Sequence, residues 1–256
     1  MADAVPAPGA APHPNVVVVM PAYNAAKTLA DTWRAIPPDV VDEVLLVDDR
    51  SSDDTLKVAA TLPIRTLALP HNVGYGGNQK TCYLEALRTR ADVVVMLHPD
   101  GQYDPAIIPH LVAPIADGRA DLVLGSRMLI PGGARRGGMP LYRFVSNKAL
   151  TRIENVVLRR HFSELHTGYR AYSRRFLETV PFLRNSNDFV FDTQIIAQAV
   201  AFGQRIVEVP IQTRYHPDAS STSMRANFRY GLGTLAVMGR LALHRGRVVP
   251  SRLFRA

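Results

Sequence analysis

At 256 residues, with 47% hydrophobic and 20% charged residues, the chain can bury the core of one large α/β domain, which excludes a wholly disordered protein. Its single cysteine, Cys82, excludes an internal disulfide framework. The formal charge of +8 is uneven: residues 225–256 carry seven Arg and no Asp or Glu, leaving +1 for everything before them, which speaks for a local anionic partner and against a nucleic-acid binder.

Residues 1–14 are rich in Ala and Pro and read as a disordered tail, without the basic-then-apolar pattern of a signal peptide. Residues 15–224 read as one domain. The run at 16–20 is a strand candidate, and a helix is expected over 25–35, ended by Pro37 and Pro38. A second strand at 43–47 stops at Asp48-Asp49, with Asp53 placed to cap the helix that follows. A third strand at 64–69 leads into a loop at 71–78 and a helix at about 79–90. The strand at 93–97 is apolar throughout, as expected of a strand covered on both faces, and breaks at once into His98-Pro99-Asp100-Gly101-Gln102. A helix at about 105–116 and a strand at 121–125 follow.

Such alternation predicts βαβ units and a mostly parallel sheet with its strand carboxyl ends on one edge. Tyr23, Asp48, Asp49, Asp100 and Arg127 all follow such ends and should share one rim, where open α/β sheets bind ligands. Beyond residue 125 the pattern loosens. Residues 128–139, rich in Gly, read as a mobile loop near the crevice or a connector. A helix is expected at 141–160, extended chain at 165–172, a helix at 188–202, a strand at 205–215 and a polar loop at 216–223. Phe228, Leu232, Leu235, Met238 and Leu241 recur at helical spacing beside Arg225, Arg229 and Arg240. Residues 225–256 therefore read as a basic amphipathic helix and tail lying at an interface, and no segment is apolar for long enough to span a membrane.

On the rim, Asp100 and Gln102 offer hard oxygen ligands to a divalent cation, unless the Pro-Asp-Gly turn merely exposes a solvated carboxylate. Asp49 could accept hydrogen bonds from a base edge, Tyr23 offers a ring face, and Arg127 could help offset a diphosphate. The glycines at 74, 76 and 77 invite a dinucleotide-binding reading, hence an oxidoreductase, but the third glycine of that fingerprint is missing and the loop follows the third strand. Asp192 is either a carboxylate at a helix N-terminus or a general base; His166 and His216 read as hydrogen-bonded loop histidines. Cys82 reads as a buried structural thiol.

The segments Val16-Val-Val-Val-Met-Pro-Ala-Tyr-Asn24, Val44-Leu-Leu-Val-Asp-Asp-Arg-Ser-Ser-Asp-Asp-Thr55, Asn72-Val-Gly-Tyr-Gly-Gly-Asn78, His98-Pro-Asp-Gly-Gln-Tyr-Asp-Pro105, Gly125-Ser-Arg127 and Thr167-Gly-Tyr-Arg170 resemble, in order and spacing, the family-2 glycosyltransferases. Within that family the chain is most similar to the polyprenyl- and dolichyl-phosphate hexose synthases. The resemblance covers about residues 15–230 and implies a GT-A fold, an inverting transfer, a nucleotide-sugar donor, Mg²⁺ or Mn²⁺, and a polyprenyl-phosphate acceptor. It implies donor contacts from Pro21, Tyr23, Asn24, Val47, Asp49, His98, Pro99, Asp100 and Arg127, and metal contacts from Asp100, Gln102 and His98. Thr167, Gly168, Arg170 and Arg214 would meet the acceptor, and Asp192, Asp100 and Arg214 would serve catalysis.

Two departures stand out: His98 replaces the first Asp of the family's Asp-x-Asp, and Ala25 stands where the synthases usually carry Glu. A hydroxyl acceptor with Asp192 as base is the competing reading, and a nucleotide-binding or membrane-interaction module without turnover a third. The resemblance and the basic C-terminal helix together imply a cytoplasmic protein held peripherally on the inner face of a membrane by anionic lipid, with a homo-oligomer left open.

Overall fold

The computed structural model describes residues 13–213 and 224–255, leaving out the side chains of 224–226. In chain order the elements are β1 (Val16–Ala22), α1 (Leu29–Arg34), β2 (Glu43–Asp48), α2 (Thr55–Ala59), β3 (Arg65–Ala68), α3 (Tyr75–Leu87), β4 (Val93–Met96), α4 (Ile108–Ala116), β5 (Leu122–Ser126), α5 (Gly133–Arg136), α6 (Leu141–Leu158), β6 (Arg170–Ser173), α7 (Arg174–Thr179), α8 (Phe191–Ala201), β7 (Ile206–Pro210) and α9 (Met224–Arg245).

Seven strands form one sheet in the order β3-β2-β1-β4-β6-β5-β7. β1 is fully buried and pairs in parallel with β2 on one side and β4 on the other, with Ala22 opposite Asp48 and Val19 opposite Met96. A buried central strand must put apolar side chains on both faces, and the period of two then sorts them between two layers. Val17, Val19, Leu45, Val47, Val94 and Met96 pack on one face with Cys82, Phe191 and Ile195, while Val16, Val18, Met20, Leu46, Val95 and Leu97 pack on the other with Ile108 and Leu111. Cys82 is a free, buried thiol.

The one antiparallel strand of the sheet, β6, lies between β4 and β5. The expectation that every strand sends its carboxyl end to the rim therefore holds for the parallel strands and fails for β6, which starts there with Arg170. Of the extended chain expected at 165–172 only residues 170–172 belong to a strand, β6, which runs on to Ser173, and Pro210 closes β7 well short of the expected end. A proline lacks the N–H that a ladder requires.

Helix boundaries moved for similar local reasons. Helix α1 starts four residues later than expected because the N–H groups of Ala25 and Ala26 are donated to Thr55 Oγ1 and Asp53 Oδ2, at 2.8 and 3.0 Å. Asp53 also accepts the Thr55 N–H ahead of α2, as a capping carboxylate does. Helix α3 begins at Tyr75, inside the stretch expected to be a loop, with Gly74 at φ +83° as its first flank. A Cβ on Gly76 would lie 2.8 Å from Phe191 Cβ and overlap Ser186 O, so glycine lets the helix start press against the 186–191 segment. Residues 128–139 are not a plain loop either: α5 forms within them, and Ala134 and Met139 are buried.

The C-terminal helix α9 packs on α6 and α8. Thr234, Val237, Met238 and Leu241 face inward, while Phe228, Leu232 and Leu235 face outward. This splits the single apolar face expected of that helix. No helix among the described residues is long and apolar enough to cross a membrane.

Gly76→Ala should cost about 1–3 kcal/mol through overpacking, lowering the melting midpoint by several degrees in a calorimetric scan. Gly118→Ala, where a Cβ meets nothing within 4 Å but φ is +66°, should cost about 1 kcal/mol, so the scan separates crowding from backbone strain.

Candidate functional site

The rim is held together by the segment after β1. Asn24, at φ +53°, donates its N–H to Ser51 Oγ at 2.8 Å and accepts the Ser52 N–H on Oδ1 at 2.8 Å. A few residues on, Thr28 Oγ1 donates to Pro99 O at 2.5 Å. The turns that follow β1, β2 and β4 thus form one continuous ledge. Tyr23 stands on it with 58% of its surface exposed, and Pro21 is buried beneath.

Asp49 is held in place by the chain ahead of α3: its carboxylate accepts the N–H groups of Val73 and Gly74 at 2.7 and 3.1 Å. Burial pushes its proton affinity above the ordinary carboxylate range, with the two backbone donors opposing. Asp48 sits deeper, with no exposure; one oxygen accepts the Ser51 N–H and the other has no hydrogen-bond partner. Val47 has no exposed surface, and its side chain belongs to the core under α3. It supports the ledge and does not line it, which corrects its expected donor contact.

After β4, Asp100 Oδ1 accepts the Gln102 N–H at 3.0 Å, fixing the turn. His98 points inward: its Nε2 is 3.4 Å from Tyr75 Oη, and its ring stacks on Tyr75 at 5.5 Å between centroids. Burial holds the His98 imidazole below its ordinary pKa, favouring the neutral form at pH 7. A Cβ on Gly168 would lie 2.7 Å from His98 Nε2, so glycine lets the 167–168 segment cross the histidine without displacing its ring.

The deepest part of the site is built on Asp192, in the first turn of α8. Its Oδ2 accepts from Tyr75 Oη at 2.9 Å; its Oδ1 accepts from Arg170 Nη1 at 3.0 Å and Gln79 Nε2 at 3.2 Å. Arg170 is 1% exposed. Burial is the largest single influence and opposes its charge, but the Asp192 carboxylate together with Tyr172, Tyr75 and Tyr83 outweighs it and raises its proton affinity. Its Nε and Nη2 have no hydrogen-bond partner. Arg170 therefore acts on the crevice through Asp192 and does not present a cation to an acceptor.

Arg127 is likewise engaged. Its guanidinium donates to Glu164 and to His166 O, the latter at 2.9 Å, and its N–H donates to Glu164 Oε2 at 2.7 Å. Asn147 Nδ2 from α6 adds a 2.7 Å bond to Glu164. His166 is the hydrogen-bonded histidine expected through Nδ1, 2.8 Å from Tyr230 Oη; its Nε2 lies 2.9 Å from Glu154 Oε2 without hydrogen-bond geometry. Thr167 is buried, and Gly168 donates its N–H to Tyr103 Oη at 3.0 Å. Arg214 and His216 lie outside the described residues.

Tyr75, Gln79, Glu154, Glu164 and Tyr230 were missed as site residues. Their partners outside their own helices are 12 or more residues away, and no local spacing marks them; Gln79 follows the glycine stretch, which was the only available hint.

A divalent cation fits the rim modestly. No group of three His, Cys, Asp or Glu among the described residues could enclose an ion. Asp100 retains an oxygen without a protein partner, and Mg²⁺ commonly needs only one or two carboxylates when substrate phosphates and water complete its shell. Two surface depressions lie away from the rim, one of about 550 Å³ beside His244 and Arg247 and one of about 480 Å³ beside Trp33 and Val44.

Residues 17–180, more than half of the chain, match the model of glycosyl transferase family 2. Among curated proteins the chain is 28% identical to polyprenol monophosphomannose synthase of Mycolicibacterium smegmatis, covering 93% of this chain and 92% of that one. It is 29% identical to undecaprenyl-phosphate mannosyltransferase of Micrococcus luteus, over 77% of this chain and 82% of that one. Among solved structures it is similar to glucosyl-3-phosphoglycerate synthase from Mycobacterium tuberculosis in complex with uridine-diphosphate. The TM-score is 0.71 at 19% identity, covering 90% of this chain and 80% of that one. That likeness concerns the fold, and it bears out the expected GT-A architecture.

Two measurements test the site as built. Arg170→Met should destabilise the protein by about 3–5 kcal/mol in urea titration by stranding the buried Asp192 charge, and the double variant Arg170→Met, Asp192→Leu should recover most of the loss. Carbon-13 NMR titration of the Asp49 carboxyl should give a midpoint above 3.8. A native pKa above the unfolded one means that this group favours folding at low pH, a contribution lost as pH rises through the native pKa.

Proposed function

Because the chain belongs to glycosyl transferase family 2, and so is a glycosyltransferase, we propose that it moves a hexose from a nucleotide-sugar donor to a polyprenyl-phosphate acceptor with inversion at the sugar carbon. The observation that carries this reading is the continuous ledge, on which Asn24 ties to Ser51 and Ser52 while Thr28 ties to Pro99. It places Tyr23 and Asp49 at one end and Asp100 at the other, suited to a nucleoside and its diphosphate.

In this reading Tyr23 supplies a ring face to the base, Pro21 and Asn24 shape the backbone beneath it, and Asp49, buried and bonded through both oxygens, fixes the Val73–Gly74 backbone beside the base. Asp100 would hold Mg²⁺ or Mn²⁺, with Gln102 as a neighbouring donor; such an ion, when bound, stabilises a departing nucleoside diphosphate. His98, expected as a ligand, is turned inward onto Tyr75 and supports the turn from behind. Solved structures of the synthase from Mycobacterium tuberculosis contain Mn²⁺ or Mg²⁺ with uridine-diphosphate. Arg127 keeps its pairing with Glu164 and so braces the acceptor side through His166 O, and Arg214 would carry charge toward the acceptor phosphate. An acceptor oxygen attacks the sugar carbon as the bond to the diphosphate oxygen breaks, and the electron pair of that bond leaves with the diphosphate. Thr167 and Gly168 form the wall behind the acceptor, positioned by Tyr103.

A hydroxyl acceptor would need a base to take its proton. Asp192 has both oxygens occupied by Tyr75, Gln79 and Arg170 and is buried. A base must reach the proton that it removes. A phosphate acceptor, already ionised, needs none, so the geometry favours the lipid phosphate named by the curated relatives.

The test is a transfer screen across nucleotide sugars with Mg²⁺ or Mn²⁺, using polyprenyl phosphate and free saccharides as acceptors. Metal-dependent transfer to the lipid phosphate is expected, and Asp100→Asn should reduce it by roughly 100-fold or more without shifting the melting midpoint. Transfer to saccharides alone, or no turnover with any donor, would overturn the proposal.

A further inference from the structure

We propose that α6 and α9 together form the surface by which this protein docks on an anionic lipid bilayer. This deepens the lipid-acceptor reading above and rests on separate observations.

Helix α6 is turned inside out. Its buried stripe is Asn147, Thr151, Glu154 and Leu158, polar at three of four positions. Its outward stripe includes Leu141, Tyr142, Val145, Ile153 and Val156, the last 75% exposed. A helix facing only water has the reverse arrangement. Helix α9 packs beside it, where a Cβ on Gly231 would lie 3.9 Å from Leu150 Cδ1, and presents Phe228, 68% exposed, with Leu232, Leu235 and Leu243. The two stripes make a broad apolar surface, larger than scattered exposed side chains produce.

The charges around it select the partner. Lys148 and Arg152 are exposed on α6, and Arg229 and Arg240 on α9. Helix α6 has a single acid, the buried Glu154, and α9 has none. Asp188, 3.8 Å from Arg229, is the acid at its edge. A second copy of the chain related by a two-fold axis would bring the same cations together with few acids to meet them. An anionic bilayer complements both features: acyl chains receive the apolar stripe, and headgroups receive the Lys and Arg rim.

The same two helices hold the acceptor side of the crevice from behind. Asn147 bonds Glu164, while Glu154 and Tyr230 both contact His166, one residue before Thr167. Docking by this face would set the acceptor segment next to the leaflet that carries a lipid phosphate.

Cosedimentation with vesicles tests the proposal directly. The protein should bind vesicles of mixed phosphatidylglycerol and phosphatidylcholine, and bind phosphatidylcholine alone at least about tenfold more weakly. The double variant Val156→Glu, Phe228→Glu should lose about tenfold or more of that binding while its melting midpoint stays put, since both side chains are exposed. Arg152→Gln with Arg240→Gln should remove most of the preference for anionic vesicles. Three results would overturn it: no binding to anionic vesicles, unchanged binding by the glutamate variant, or a solution dimer which that variant splits. Transfer from a nucleotide sugar to detergent-dispersed polyprenyl phosphate tests the catalytic reading independently, so either idea can fail alone.

Discussion

The carboxylate of Asp192 is where separate parts of the chain are locked together. Tyr75 and Gln79 come from α3, Arg170 from the start of β6, and Asp192 from the first turn of α8. An ion pair at this depth gains Coulomb energy only against a large desolvation cost, and it is tolerable because three donors share the two oxygens. The arrangement sets the spacing between the glycine-rich start of α3 and the reversed strand β6. It also positions Tyr75, whose ring lies between His98 and Phe189. His98 thus sits behind Asp100 as part of a packed stack, which explains how an imidazole can occupy the place of a carboxylate without disturbing the turn.

A second polar layer, around Glu164, does similar work for the segment ahead of β6. Arg127, Asn147 and, through neighbouring residues, His166, Glu154 and Tyr230 are all drawn into it. Feeding that layer requires α6 to turn its polar stripe inward, and the apolar residues of the helix are then left facing out. Internal chemistry and surface character are therefore two sides of one choice. The outward stripe of α9 extends the same surface, and the helix is anchored by Thr234, Val237, Met238 and Leu241.

How much was legible follows from how local the signal was. Strands β1, β2, β4 and β5 were readable because each is a short apolar run that ends abruptly in polar residues. The clustering of Tyr23, Asp49 and Asp100 followed from parallel topology alone. The start of α3 was misread because glycines usually interrupt helices, whereas here Gly76 allows close contact with Phe191 and Ser186. Val47 was misplaced because position in a motif does not reveal which face of the strand a side chain takes once the sheet is covered. Arg127 and Arg170 were identified as important, but their engagement with buried carboxylates could not be read from spacing, since their partners are 37 and 22 residues away.

By itself, the order of residues determined the alternating α/β pattern, the ledge of polar side chains after the parallel strands, the family to which the chain belongs, and the basic C-terminal end. Those properties depend on periodicity, turn chemistry and composition, all of which are local. Only the folded molecule decided that β6 runs against its neighbours, that Asp192 is enclosed by donors, and that α6 hides its polar side. Each depends on which distant groups must satisfy one another away from water, and a buried charge or donor acquires its partner only when the whole sheet and its helices have closed around it.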